Sequence, residues 1–180
     1  MPELVQPSVG LHAAFLDCVA DWGPGRHEDG FGLDDGDDVA SPRWFADYVH
    51  AITRRSHPRG TPCPHPPQRH ATWGWIVEDG RLQGSIVLRH LLDDELGHIA
   101  YGVRPSARRR GLATWAVRRM LDEARLALGL DRVLIPCLAD NLASAATIER
   151  AGGVLETIRP NAHGVPSRRY WVPTTPGPVS

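Results

Sequence analysis

The segment RRRGLA, residues 108–113, combines residue types that can hold an anion. Three arginines stand directly before a glycine, and the residues after that glycine begin a predicted helix. The first turn of a helix presents unpaired backbone N–H groups and the positive end of the helix dipole. Gly111 lets the backbone approach a ligand closely, and the small side chain of Ala113 leaves that turn open. The segment therefore indicates a binding site for a diphosphate.

This arginine segment has two other interpretations. A solvated turn can hold arginines by chance, because short motifs have many false matches. A nucleic-acid surface needs a basic protein, whereas this 180-residue chain has a formal net charge of −1 and shows no second basic stripe. All twenty basic residues are arginine, so an isolated arginine elsewhere says little about function. We expect no nucleic-acid partner.

The hydrophobic pattern predicts the elements that must position this segment. A strand is expected over 97–105 before it, and apolar residues at helical spacing predict a helix over 111–128 after it. The run DRVLIPCL, residues 131–138, predicts a buried strand, and residues 144–151 predict a short helix that ends at two glycines. Strand, helix, strand and helix thus follow each other around the candidate site.

The rest of the chain completes a mixed α/β pattern. The other predicted elements are a strand at 2–6, helices at 7–22 and 41–52, a hairpin from residue 71 that turns at Asp79-Gly80, and two final strands, VLETIR and RRYWVP. We expect one domain over residues 1–173. Within the chain we expect an acidic loop at 23–40, a proline-rich connector at 56–70 and a flexible tail at 174–180.

The stretches HIAYGVRP, RRRGLA and DNLASAATIERAGG follow one another along the chain. Together they resemble the GNAT superfamily of N-acetyltransferases and, within it, a subgroup of bacterial acetyltransferases. The resemblance covers roughly residues 71–172. It implies a mixed, mostly antiparallel sheet flanked by helices, with a V-shaped splay between two central parallel strands, here 98–104 and 132–138. It also implies acetyl-CoA as the co-substrate, bound in that splay.

The resemblance also assigns the parts of acetyl-CoA to this sequence. The diphosphate would lie on the N–H groups of residues 109–114, and the pantetheine amides would pair with the backbone of Tyr101 and Val103. Asn141 would contact the pantetheine arm, with Ser144 one helical turn away, although a plain helix cap is the alternative for Asn141. The residues expected to bind acetyl-CoA are Tyr101, Val103, Arg108, Arg109, Arg110, Gly111, Leu112, Ala113, Thr114, Asn141 and Ser144.

The reaction that the resemblance implies is attack of a primary amine on the thioester. A protonated amine has no lone pair, so a base must remove a proton directly or through water. His98 is the first candidate, because it lies on the strand beside the expected thioester and its ordinary pKa of about 6.5 suits the task. Glu95 is the second candidate. The alternatives are a hydrogen-bonded core histidine and a solvated carboxylate.

One family feature is missing on the last helix. Many members carry there a tyrosine that protonates the leaving thiolate, and the matching residue here is Ile148, which cannot donate a proton. Tyr101, Tyr170 or water would have to replace it. This departure favours the alternative of a non-catalytic acyl-CoA-binding module with the same fold, whereas His98 and Glu95 favour an enzyme.

The acceptor and the partners are less strongly indicated. Residues 27–38 hold six carboxylates and would attract a cationic amine, on a small molecule or a peptide, if they are not simply a solvated loop.

No apolar stretch is long enough to span a bilayer, so we expect no membrane partner, and a homodimer stays open. Three widely spaced cysteines and the lack of an export signal favour a cytoplasmic compartment. The spacing of four possible zinc ligands, His57, Cys63, His65 and His70, matches no zinc motif. We therefore expect no metal.

Overall fold

Seven strands and four α-helices make up the computed structural model, which describes residues 1–23, 30–54 and 70–175. In chain order the elements are β1 (Glu3–Val5), α1 (His12–Trp22), α2 (Pro42–Thr53), β2 (Ala71–Glu78), β3 (Arg81–Arg89), β4 (Ile99–Val103), α3 (Leu112–Leu126), β5 (Arg132–Leu138), α4 (Leu142–Arg150), β6 (Val154–Pro160) and β7 (Pro166–Pro173). Short 3₁₀ helices at Val9–Leu11 and Pro105–Ala107 precede α1 and α3. The predicted mixed α/β fold is confirmed.

Local turn chemistry explains where two of these elements begin and end. The first helix begins at His12 rather than at residue 7, because the side chain of Ser8 caps a 3₁₀ turn instead. The hairpin turns at Asp79-Gly80 as predicted. Both turn residues lie in the left-handed region, at φ 52° and φ 74°, as this kind of hairpin turn requires.

The strands form two antiparallel sheets that meet at β4 and β5. The first sheet has the order β1-β2-β3-β4, and the second has the order β5-β7-β6. Where the two sheets meet, the N–H of His98 donates to the carbonyl oxygen of Leu134 at 2.8 Å. Beyond this bond no ladder pairs β4 with β5 within the described residues, and the cavity wall includes residues of both strands. The structure therefore contains the expected V-shaped splay.

Each face of the first sheet is covered by its own hydrophobic core. Ile86 and Leu88 of β3 pack with the buried residues of α3 on one face. Trp75 of β2 packs with Phe15 of α1 and Phe45 of α2 on the other face. Burial of each large apolar side chain contributes about 1.5–3 kcal/mol. The strands beside the splay are thus held from both faces.

A buried arginine ties the connection between β4 and α3 to α1. The side chain of Arg104 is 3% exposed, and it donates from Nε to Asp21 at 3.0 Å and from Nη1 to Asp17 at 2.6 Å. Asp21 also accepts from the backbone N–H of Ser106 at 3.0 Å and from its hydroxyl at 2.8 Å. The Ser106 N–H is the largest cause that lowers the pKa of Asp21 from 3.8 to about 2, against the opposing effect of burial. The chain is thereby fixed just before the arginine segment.

We expect Asp21→Asn to lower the free energy of unfolding by about 1–2 kcal/mol at pH 7, because it weakens hydrogen bonds to a charged group. The folded-state pKa of Asp21 is lowered, so its stabilisation is present above pH 3.8 and is lost as the pH falls toward 2. Urea unfolding should therefore show a smaller difference between variant and wild type at pH 3 than at pH 7. Asp122→Asn removes an exposed carboxylate 3.9 Å from Arg125 and should change stability little. An equal loss in both variants would contradict the prediction.

Candidate functional site

A cavity of about 1030 Å³ extends from the first turn of α3, through the gap between β4 and β5, to the face of the first sheet that α1 and α2 cover. We call its last part the far chamber, which is lined by Gly30, Gly32, Trp73, Val87, Arg89 and Ala100. The charged side chains in the described cavity wall are all arginines, namely Arg89, Arg108, Arg109 and Arg150. Such a wall favours anionic ligands.

The first turn of α3 has the geometry that the sequence predicts for an anion site. Gly111 is its N-cap and lies in the left-handed region at φ 81°, and no side chain of the described residues caps the helix. Arg109 is also left-handed, at φ 61°. Successive N–H groups in such a turn point the same way and form a concave anion site. The wall continues through residues 112–114.

The three arginines of the segment point in different directions. Arg108 and Arg109 line the cavity, and the Arg108 guanidinium lies 4.7 Å from the ring centre of Trp22. Arg110 instead forms an ion pair with Glu78 at the end of β2. The structure therefore brings two of the three side chains to the predicted site, and the side chain of Arg110 holds the hairpin.

The backbone of β4 presents its odd-numbered residues to the gap. The N–H of Arg104 donates to the Gln83 carbonyl of the neighbouring strand, so the even-numbered residues face β3. Alternate residues of an antiparallel strand face opposite sides, so the polar backbone groups of Tyr101 and Val103 face β5. Arg108 Nε donates to the Val103 carbonyl at 3.1 Å, which agrees with this orientation. Both residues predicted to pair with pantetheine thus face the gap.

Helix α4 brings a capping residue and a hydroxyl pair to the opposite wall. Asn141 Oδ1 accepts from the N–H of Ser144 at 3.0 Å and caps the helix, and both residues line the cavity. Asn141 therefore both caps α4 and lines the cavity. Ser144 Oγ lies 2.9 Å from Tyr101 Oη, and Tyr101 also lines the cavity. This hydroxyl pair bridges the gap from β4 to α4.

His98 lies at the closed end of the splay and not in the cavity wall. It is 5% exposed, and its Nδ1 accepts from the N–H of Leu134 at 2.9 Å, so backbone and side chain both tie the two sheets together. Burial lowers the pKa of His98, and the charge of Arg89 lowers it further. The imidazole therefore stays neutral at pH 7, as an acceptor at Nδ1 requires. Its role as a base stays a prediction.

The other candidates for proton transfer also lie outside the cavity wall. The Glu95 carboxylate accepts from the N–H of Ala162 at 2.9 Å and so holds the loop between β6 and β7. Tyr170 donates from Oη to Glu149 at 2.9 Å, and burial is the main cause that raises its pKa. Ile148 is fully buried in the core. The structure brings Tyr101 to the cavity but not Glu95 or Tyr170.

Arg89 is a wall residue that the sequence analysis missed. In register, Arg89 pairs with Ala71, and Val87 pairs with Trp73 on one side and Ala100 on the other. Side chains two residues apart on a strand share a face, so Arg89 and Val87 point into the same chamber. A strand over SIVLR places Arg89 and Val87 on one face, but the sequence does not show that this face lines a cavity.

Some predicted features lie partly or wholly outside the described residues. Of the acidic loop, residues 24–29 are not described, and the described carboxylates of Asp34, Asp35, Asp37 and Asp38 do not line the cavity. The connector residues 55–69 and the tail beyond 175 are also outside. Within the described ranges, no three His, Cys, Asp or Glu residues cluster as a metal site requires. No helix in those ranges is long and apolar enough to cross a membrane.

Several solved structures of acetyltransferases resemble this chain. The microcin C7 self-immunity acetyltransferase MccE, in complex with acetyl-CoA and AMP, is 15% identical with a TM-score of 0.69, and the match covers 96% of this chain and 92% of the other. The ribosomal L7/L12 α-N-protein acetyltransferase RimL, in complex with coenzyme A, is 18% identical with a TM-score of 0.70 over 96% and 93% of the two chains. The Salmonella typhimurium acetyltransferase that modifies the N-terminal serine of 50S ribosomal subunit protein L7/L12 is 17% identical with a TM-score of 0.66 over 96% and 94%. At these identities the likeness shows the fold.

Sequence comparison supplies the family. No curated protein matches the chain by sequence. The family model for the acetyltransferase (GNAT) domain matches residues 38–154, which is more than half of the chain and includes both the arginine segment and the start of α4. On this match and on the splayed strands, the protein belongs to the GNAT family of acetyltransferases.

Proposed function

We propose that this protein transfers an acetyl group from acetyl-CoA to the primary amine of a small molecule or a peptide. The observation that supports this best is the continuity of the cavity from the first turn of α3, through the gap, to the far chamber. A donor lying along β4 would hold its thioester between the sheets, and an amine in the far chamber would approach it from the other side. Acetyl-CoA and coenzyme A in the similar solved structures support the same donor here.

In this proposal different wall residues bind different parts of acetyl-CoA. The diphosphate binds the N–H groups of residues 109–114, beside the positive charge of Arg108. The pantetheine amides pair with the backbone of Tyr101 and Val103, like an added strand. Asn141 lies beside the pantetheine arm at the start of α4.

The proposed reaction is a direct transfer without an acyl-enzyme. The amine nitrogen attacks the thioester carbon, a C–N bond forms, and the C–S bond breaks with its electron pair on sulfur. The hydroxyl pair of Tyr101 and Ser144 gives a proton to the thiolate. Since the described cavity wall holds no Asp, Glu or His, we propose that water carries away the proton that the amine releases.

Two substitutions of His98 distinguish a structural role, in which it links the two sheets, from a role as the catalytic base. We expect His98→Ala to cost about 1–3 kcal/mol in the free energy of unfolding, because it leaves the buried N–H of Leu134 without an acceptor. His98→Asn supplies an amide oxygen in place of Nδ1, and we expect it to keep most of kcat and of the melting temperature. An inactive Asn variant that melts at the wild-type temperature would instead support the base predicted from the sequence.

The function itself is tested by thiol release from acetyl-CoA with a panel of primary amines, with the acetylated product identified by mass spectrometry. We expect release that depends on both the amine and the protein. Tight binding of acetyl-CoA with no acetylated product from small amines or from peptide N-termini would overturn the proposal. That outcome would favour the non-catalytic acyl-CoA-binding module, which Ile148 makes a real alternative.

A further inference from the structure

Arg89 holds a charge in the wall of the far chamber. Its guanidinium donates from Nη1 to the carbonyl oxygen of Leu96 at 3.3 Å. No ion pair within 4.0 Å joins it to a carboxylate of the described chain. Because its side chain lines the chamber, the guanidinium is placed where a bound molecule can reach it.

The acidic residues nearest to this arginine along the chain are engaged elsewhere. Asp93 accepts two backbone N–H groups of its own turn, at 2.9 and 2.8 Å. Asp94 forms ion pairs with Arg159 and Arg169. Glu95 accepts a backbone N–H from the loop between β6 and β7. These carboxylates therefore stabilise the turn and the second sheet, and none of the three forms an ion pair with Arg89.

A half-buried guanidinium without a counterion is costly, and an anionic ligand offsets that cost. Burial lowers the pKa of Arg89, and the charge of Asp93 opposes this effect only in part. The group stays charged at neutral pH, and its planar fork matches the two oxygens of a carboxylate or a phosphate. Of the described residues that line this chamber, Arg89 is the charged one.

We propose that the far chamber binds an amine that also carries an anionic group, a carboxylate or a phosphate, and that Arg89 binds this group. The inference rests on the proposed function, because the molecule concerned is the acceptor of that reaction. It differs from the cationic acceptor expected from the acidic loop, whose described carboxylates lie outside the cavity wall.

Matched pairs of amines test the proposal in the acetylation assay. The acids are glycine, β-alanine and 2-aminoethyl phosphate, and their neutral partners are glycinamide, β-alaninamide and ethanolamine. We expect kcat/KM, expressed per free-base amine, to favour one of the acids over its partner by about 10–100-fold, the usual effect of hydrogen bonds to a charged group. The carboxylate and phosphate pairs show which anion the chamber takes. Equal rates for acids and neutral partners would overturn the proposal.

Variants of Arg89 connect the preference to the residue. Arg89→Met keeps most of the unbranched aliphatic part of the side chain and removes the guanidinium, so it should abolish the preference mainly by raising KM for the acids. Its Kd for acetyl-CoA, measured by calorimetry, should stay at the wild-type value. Arg89→Lys should retain part of the preference. A folded Met variant that still prefers the acids would overturn the assignment to Arg89.

Binding without turnover separates this inference from the proposed function. Calorimetry of the same acids with protein saturated with coenzyme A should show binding to the wild type and at least about 10-fold weaker binding to Arg89→Met. If no amine is acetylated but this difference is found, the transfer reaction fails and the anion site stands. If amines are acetylated and no difference is found, the anion site fails and the reaction stands.

Discussion

Replacing Ala113 with glutamate is expected to weaken acetyl-CoA binding by at least about 100-fold while α3 stays folded. Ala113 lies in the first turn of α3 and lines the cavity. A carboxylate in the first turn stabilises a helix, because it interacts with the positive end of the dipole. The same carboxylate would lie where we place the diphosphate and would repel it at short range. Calorimetry with acetyl-CoA measures the binding, and thermal unfolding measures the fold.

The control for this variant is the same substitution at the other end of the helix. Ala127 is the exposed C-cap of α3 and is not part of the cavity wall. Ala127→Glu adds the same charge to the protein, so any general effect of net charge on binding appears in both variants. We expect Ala127→Glu to bind acetyl-CoA as the wild type does. If Ala113→Glu bound acetyl-CoA with wild-type affinity, the diphosphate could not bind at the first turn of α3.

The second large effect is expected on turnover when the hydroxyl pair is broken. Ser144→Ala should lower kcat by about 100-fold, at the lower end of what general acid catalysis contributes, with little change in the Kd for acetyl-CoA. Tyr101→Phe should have a similar effect, because Tyr101 Oη lies 2.9 Å from Ser144 Oγ and can replenish its proton. Groups that act as a unit are not additive, so the double variant should be no slower than the slower single variant. Steady-state kinetics of thiol release measure all three.

Tyr170→Phe is the matched control for the loss of a tyrosine hydroxyl. Tyr170 donates to Glu149 and lies outside the cavity wall, so its replacement should leave kcat unchanged. A strong loss of kcat in Tyr170→Phe would assign the proton to that residue instead. Wild-type kcat in Ser144→Ala and Tyr101→Phe would leave water as the proton donor, the third alternative that Ile148 opened.

Features that depend on a few neighbouring residues were predictable from the sequence. The turn at Asp79-Gly80 needs two left-handed residues, and the sequence places there two residue types that tolerate this conformation. Gly111 marks the start of α3 for the same reason. The apolar spacing then fixes which side of α3 is buried, so the loop at its first turn must lie where the helix meets the sheet. The sequence alone therefore supports the hypothesis of a diphosphate site at this loop.

Features that depend on side-chain direction were not predictable in the same way. Arg108 and Arg110 are two residues apart in one loop, yet one lines the cavity and the other pairs with Glu78 of a distant hairpin. His98 was a base candidate because of its strand, but the sequence does not show that its Nδ1 accepts from Leu134. Arg89 was overlooked because arginine is common in this chain and the pattern of a single strand does not reveal which face a ligand would share.

The splay between β4 and β5 also affects how the protein avoids association with other chains. Beyond the tie at His98, each of these strands presents an edge to the gap instead of to a partner strand within the described fold. Exposed strand edges invite pairing with foreign chains, and natural proteins commonly shield them. Here both edges face the gap, which residues of α3 and α4 also line, so neither edge lies on the outer rim of the two sheets taken together. The same arrangement that would admit a narrow amide-bearing cofactor therefore guards against aggregation.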